Sequence, residues 1–406
     1  MPTPLHEHLQ TLGAELIGYG PPPEGEGELP CLIAEDFTAF EQEYAAIRRH
    51  VGILHLPQTG LVDVTGDDRA DFLHRMCTQD VNAMAGGQTR RAFQLTAEGK
   101  ILGDMHIHHG DINTWLELDR FDIPGVCGLL EARLFSEEVA FNNITADRET
   151  LALLGPASQQ LLNRVAEHTA QGMTPASVGE MPGTTHVLKI GEALVSVCRR
   201  DLGALLGFRL FVPAQHAAQV YDALLAAAGY VHDEANDADA AQRRRSTLRG
   251  RPVGWAAYNT ARIEEGLPIF HIDFGPDSIP AELGQEAFES AVSMTKGCYL
   301  GQEAVARMHN LSHPKRVLVG LKLQADDLPV AGTQVFEHDP DKRSRAPRGG
   351  QVGGVTSSTV SPMLGASAVA FAVMKWGKHR PGTRVAVASG GAMVDAEVCG
   401  LRFLAE

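Results

Sequence analysis

From about residue 317 the texture of this chain changes. Val317–Leu323, Gln334–His338, Gln351–Ser357, Ala368–Met374 and Arg384–Ala388 are short apolar or β-branched runs separated by clusters of Gly, Pro and Asp. Such runs suit a pleated, half-buried surface, and the clusters between them form turns. The spacing predicts an all-β domain, a small antiparallel barrel. The first three hundred residues instead alternate helix and strand, without a regular βαβ rhythm or a Gly-rich phosphate loop. A Rossmann domain is therefore not expected, and the fold class reads as α+β.

The 406 residues are enough for two or three domains. Leu5, Leu9, Leu12 and Leu16 are at helical spacing, and Pro21–Gly27 reads as a connector. Residues 38–50 look helical. Leu61–Val64 alternates like a strand, and Asp67–Met76 has helical periodicity. Arg91–Thr96 and Ile101–His109 form a hairpin about Ala97–Lys100, followed by a strand at Trp115–Leu118 and a helix over 124–134. Strands at Leu151–Leu154 and Val195–Val197 and helices near 157–168 and 215–228 complete this region. The expected division is an N-terminal extension over 1–34, an α+β region over 35–315 split near 150, and the barrel over 316–406. Asp233–Ala241 reads as an acidic surface segment, Arg243–Arg245 as a solvated basic run, and 339–350 as a mobile hairpin loop.

A net charge of −15 argues against a nucleic-acid footprint, which needs a basic face. Six scattered cysteines without a C-x-x-C pair suggest a reducing compartment and speak against a zinc site or a closely ligated iron–sulfur cluster. No signal peptide is legible, and no apolar run reaches the roughly 18 residues needed to span a bilayer. A cytoplasmic protein without a membrane partner is expected.

The most chemical stretch is Lys296-Gly297-Cys298-Tyr299-Leu300-Gly301-Gln302-Glu303. A nearby cation or a helix N-terminus lowers a thiol pKa, and Lys296 and a helix beginning near Gly301 offer both to Cys298. The bland alternative is a buried cysteine in a strand-to-helix turn. On the strand at 101–109, Asp104, His106 and His108 share a face. They fit a metal triad, a ligand pocket, or the polar face of a half-buried strand.

The octapeptide resembles the K-G-C-[FY]-x-G-Q-E motif of the YgfZ-type folate-binding proteins, relatives of the glycine-cleavage T-protein, an aminomethyltransferase. Val64–Leu73 with Thr78–Val81, Gly99–Asp104, Ala261–Pro268 and Val352–Ser358 with Ser361-Pro362 are similar to T-protein segments in the same order, over about residues 35–400. The resemblance implies three domains ringing a folate site, tetrahydrofolate as cofactor, and a role in maintaining or assembling iron–sulfur proteins, its candidate partners. It departs at Gly103, where T-protein has the first of two acids. It departs again at Gly203–Arg209, where a glutamate is missing and Arg209 replaces a second acid.

On this resemblance Cys298 is the reactive or contact thiol, Lys296 its activating neighbour and Asp104 the acid facing the folate. Glu264 is a candidate partner for the pterin. Arg262 and Arg307 are candidates for the glutamate tail, and Trp255, Tyr258 and Tyr299 for aromatic surface. Gly301 and Gln302 belong to the same motif. The alternatives are a core position for Trp255 and Tyr258 and a structural ion pair for Arg262 and Glu264. At the level of function they are aminomethyl transfer in the glycine cleavage system, or a thiol-based binding protein without folate.

Overall fold

A computed structural model describes residues 4–22, 30–167, 174–232, 246–324, 327–338 and 349–404. Residues 233–241, Arg243–Arg245 and most of the 339–350 loop lie outside the described residues. The chain divides into two compact units. One comprises Met1–Leu73, Val81–Arg90 and Met105–Tyr258; the other comprises His74–Asp80, Arg91–Asp104 and Asn259–Glu406.

The first unit is built on a seven-stranded sheet. Its order is Ala166–Glu167, Thr185–Ile190, Ala193–Arg199, Gly207–Pro213, Arg148–Leu154, Gly52–His55 and Arg251–Val253. All neighbours are antiparallel except the last pair. Leu151, Leu153, Val195 and Val197 point into a core shared with Leu161 and Leu162 of helix Ser158–Val165 and Val220, Tyr221 and Leu224 of helix Ala217–Ala228. The N-terminal leucines divide in two. Leu5 and Leu9 are buried on helix Pro4–Thr11, but the helix stops before Gly13, whose φ is +89°. Leu16 instead lies on a strand, Glu15–Tyr19, paired with Cys31–Asp36. A glycine in the left-handed region ends the helix that the leucine spacing alone would continue.

A five-stranded sheet has the order Thr89–Leu95, Ile101–His109, Thr114–Asp119, Thr59–Thr65 and Ala140–Asn143. Its first two strands form the expected hairpin, turning at Gly99, where φ is +81°. Both run past the limits of the first unit.

The second unit holds a closed six-stranded barrel. Its order is Arg316–Leu323, Ser367–Lys375, Gln351–Ser361, Gln334–Glu337, Arg384–Ser389 and Ala392–Cys399, the last pairing back onto the first. Leu321, Val335, Ala370, Met374, Val387 and Val398 fill it. The antiparallel barrel is therefore as expected, with one strand more than the sequence reading found. Asp395 and Glu397 break the apolar run of Ala392–Cys399, while Gly390 and Gly391, both at positive φ, make its hairpin turn. A second core in this unit joins Phe93, Leu95, Ile101, Phe270, Phe274, Tyr299 and Val305. Among the described residues no helix is long and apolar enough to cross a membrane.

Candidate functional site

The octapeptide lies between a short helix, Gln285–Ala291, and a longer one, Gln302–Leu311. Gly301 precedes the latter at φ +83°, and a Cβ there would stand 2.6 Å from the Thr96 carbonyl oxygen. Only glycine turns this corner without strain. The segment sorts its side chains sharply. Cys298 is exposed, while Lys296 and Tyr299 are buried on either side. Lys296 donates to the carbonyls of His74, Cys77 (2.8 Å) and Gln79 (2.8 Å), and its ammonium lies 4.9 Å from the Tyr299 ring centroid. Its three hydrogens thus have three acceptors. The thiol that feels its charge is Cys77: burial pushes that thiol up, and Lys296 partly offsets this. The activating role expected beside Cys298 is therefore replaced by a structural one, because the lysine points inward and the cysteine outward. Burial pushes the Tyr299 phenol up to about 12, so it stays protonated within the apolar cluster. Gln302 Oε1 accepts from the Tyr299 backbone N–H at 3.4 Å. Arg307 is exposed, on the rim of an apolar crevice lined by Ile279, Phe288, Ala304 and Met308.

Asp104 sits on the hairpin strand, half-buried. Arg91 holds both its oxygens in a fork, Nε to Oδ1 at 2.8 Å and an Nη to Oδ2 at 2.6 Å. The pair is bidentate and charge-assisted. It fixes the carboxylate in one orientation and leaves its remaining lone pairs free to accept from a ligand. The sequence reading did not single out Arg91, although the hairpin alone brings 91 and 104 onto neighbouring strands.

Arg262 and Glu264 do not pair with each other. Arg262, 1% exposed, donates to Asp273, to Ser357 Oγ at 2.8 Å and to Asn259 Oδ1 at 2.9 Å. Glu264, 0% exposed, accepts from Ser361 Oγ at 2.5 Å. Thr260 and Thr359 share a third bond of 2.7 Å. One stretch of helix thereby grips three alternate hydroxyls of barrel strand Gln351–Ser361. Arg262 and Glu264 are corrected from ligand contacts to structural ones, since burial and these partners leave no approach for a glutamate tail or a pterin.

The first unit holds a cluster that no local motif announces. Glu117 accepts from His108 Nε2 at 3.0 Å and from Arg200 at 2.5 Å, and Arg209 Nε stands 3.9 Å away. Burial works against charge on Glu117, yet Arg200 and His108 hold its carboxyl well below the usual range. On the other side of the imidazole, Nδ1 is 2.8 Å from Thr185 Oγ1 and 3.0 Å from Thr89 Oγ1. The Cys198 thiol lies 3.7 Å from the same Thr89 hydroxyl. Burial disfavours the imidazolium, but hydrogen bonds to Cys198 and Glu117 raise His108 to about 9. Burial likewise raises the Cys198 thiol, and the bond to His108 outweighs it and lowers it. The tight turn at Gly110–Asn113 pairs His106 with Glu117 and His108 with Trp115, so His108 reaches Glu117 diagonally across the same face; the approach of Cys198 comes from tertiary packing and has no sequence signal. Trp255, half-buried, meets Tyr19 edge-on at 5.9 Å and Tyr258 at 5.5 Å, so aromatic surface is present in this unit.

Comparison with known proteins gives these sites a family. Residues 19–296 match the GCVT N-terminal domain and residues 316–404 the glycine cleavage T-protein C-terminal barrel domain. The aminomethyltransferase of Desulfitobacterium hafniense (strain DSM 10664 / DCB-2) is 24% identical over 366 residues, 89% of this chain and 87% of its own length. That of Corynebacterium jeikeium is 25% identical over 417 residues, 99% of this chain and 95% of its own length. Glycine cleavage system aminomethyltransferase T from Bartonella henselae superposes with a TM-score of 0.78 at 22% identity, covering 99% of this chain and 97% of that one. With both domains matched in order and most of the chain covered, this protein belongs to the glycine-cleavage T-protein family.

Proposed function

We propose that this chain binds tetrahydrofolate and acts in one-carbon transfer, with aminomethyl transfer from a lipoyl-bound carrier as the leading chemistry. The observation that carries this reading is the family match over both domains, in company with relatives named aminomethyltransferase. Groups that suit such a ligand are present in each unit taken by itself: an oriented carboxylate at Asp104 in one, and aromatic surface at Trp255 and Tyr258 with guanidiniums at Arg200 and Arg209 in the other. Pockets of this kind pair apolar walls with a few placed polar groups. Tetrahydrofolate supplies the nitrogen that takes up the one-carbon unit. Asp104, fixed by Arg91, accepts a hydrogen bond and orients that end of the ligand.

A second reading rests on Cys298. An exposed thiol in the octapeptide, just ahead of a helix, favours a YgfZ-type role in which folate binding supports iron–sulfur proteins and Cys298 is the contact thiol. A glycine-cleavage assay with lipoylated carrier protein and tetrahydrofolate separates the two. Ammonia release that survives Cys298→Ala and is lost in Asp104→Asn supports aminomethyl transfer. Folate binding by calorimetry without ammonia release supports the second reading. Absence of binding removes folate altogether and leaves a thiol-based binding protein.

A further inference from the structure

The Glu117 cluster has a charge imbalance that its own residues do not resolve. Two guanidiniums, Arg200 and Arg209, face one carboxylate. His108 and Cys198 do not offset that charge: sharing one proton they are neutral as a pair, and holding a second they add to it. One positive charge is left over, and it falls on Arg209. Arg200 is hydrogen-bonded to Glu117, whereas Arg209 Nε, at 3.9 Å, is beyond hydrogen-bonding reach and is buried without a partner. The neighbouring Tyr258 favours the charged form of its guanidinium. Burial and the neighbouring Arg200 charge both push Arg209 down, and Glu117, already bonded to Arg200, only partly offsets them. A buried guanidinium that shares its one carboxylate with a second arginine and leaves its Nε without a hydrogen bond is costly, and such groups in native structures need an explanation. The Arg209 side chain is 13% exposed, so a ligand can reach it.

We propose that Arg209, beside Arg200 and Tyr258, is a binding subsite for a ligand carboxylate. The surplus is a single charge, and a guanidinium presents a planar fork that suits a carboxylate. Resting on the folate reading, one source is the glutamate tail of tetrahydrofolate; the other is the carboxylate of a free amino acid such as glycine.

The test is calorimetric titration of the full chain and of Arg209→Met and Arg209→Lys with tetrahydrofolate, with tetrahydropteroate (the same ring system without glutamate) and with glycine. Loss of at least tenfold in tetrahydrofolate affinity in Arg209→Met, with tetrahydropteroate within twofold of wild type and partial recovery in Arg209→Lys, supports the subsite with the folate tail as its source. Loss confined to glycine supports the amino-acid source. Equal losses for both pterin ligands would mean that Arg209 reads the ring, and would overturn the inference. Unchanged affinity for every ligand would overturn it too. If wild type binds neither pterin, the folate reading fails by itself. Thermal melting of wild type and Arg209→Lys in rising glycine or glutamate then tests the anion site alone: a shift in wild type that shrinks in the variant supports it, and no shift in wild type refutes it.

Discussion

Lys296 and His6 are buried nitrogen bases with opposite solutions. Lys296 keeps its proton by giving each hydrogen a carbonyl. Lys296→Met strands those carbonyls, and we expect it to destabilise the fold by about 2–4 kcal/mol, the scale for several buried acceptors losing partners. Denaturant unfolding measures this. The rate of Cys298 alkylation by iodoacetamide should meanwhile stay within a factor of two; a tenfold fall in folded protein would restore an activating role for the lysine. His6 is kept neutral instead. It donates from Nε2 to the Leu32 carbonyl at 2.7 Å, and its ring lies 5.4 Å from that of His55. Burial, then the neighbouring His55, lower it from 6.5 to about 4. The unfolded chain takes up this proton near pH 6.5 and the folded chain only near pH 4. The contribution is thus complete above about pH 6.5 and is lost as pH falls toward 4, by about 3 kcal/mol in all. His6→Gln keeps a donor for Leu32 and removes the titration. Its stability should fall less steeply than wild type between pH 6.5 and 4, and parallel curves would contradict the assignment.

Among elements, the corner before helix Gln302–Leu311 and the helix–strand grip at 260–264 carry the most structural information. Gly301→Ala meets both a positive φ and a carbonyl oxygen at 2.6 Å; we expect a loss of about 1–3 kcal/mol, read as a lower melting temperature. Arg262→Ala leaves Asp273 buried and uncompensated, and should cost about 3–5 kcal/mol in denaturant unfolding. An Arg262→Ala protein of wild-type stability that binds folate weakly would return the residue to the ligand. These elements also mark what a sequence can disclose. The barrel strands were legible from turn clusters and alternation, and the hairpin at 91–109 from its Ala-Glu-Gly-Lys turn. The strand Ala392–Cys399 was not, because Asp395 and Glu397 break its apolar run in sequence, although Val394, Ala396 and Val398 keep one face apolar. At the candidate site, the exposure of Cys298 and the inward turn of Lys296 depend on which way each side chain faces. Residue type at a given spacing does not settle that. Arg209 read only as a departure from a motif; that it shares a single carboxylate with Arg200 emerged when strands distant in sequence came together.

For the molecule as a whole, the acidic balance sets the conditions for binding. On the folate reading, a chain of net charge −15 would repel the anionic ligand at long range, so its recognition would depend on local cations. Tetrahydrofolate at a hundred times its Kd should raise unfolding free energy by about 2.7 kcal/mol, read as a rise in melting temperature. Added salt, by screening the general repulsion, should speed association rather than slow it; slower association with salt in stopped-flow fluorescence would point to an attractive field instead. The hydroxyl ladder Ser357, Thr359 and Ser361, gripped by Arg262, Thr260 and Glu264, has an evolutionary reading. Each rung matches one helix residue to one strand residue, with Asp273 bonded to both partners of the first. A two-residue slip of the strand keeps the same face inward but sets a residue without a hydroxyl, Val355 or Met363, against one rung. Across lineages, substitutions at 262 and 357, at 260 and 359, and at 264 and 361 should therefore covary as three separate couples.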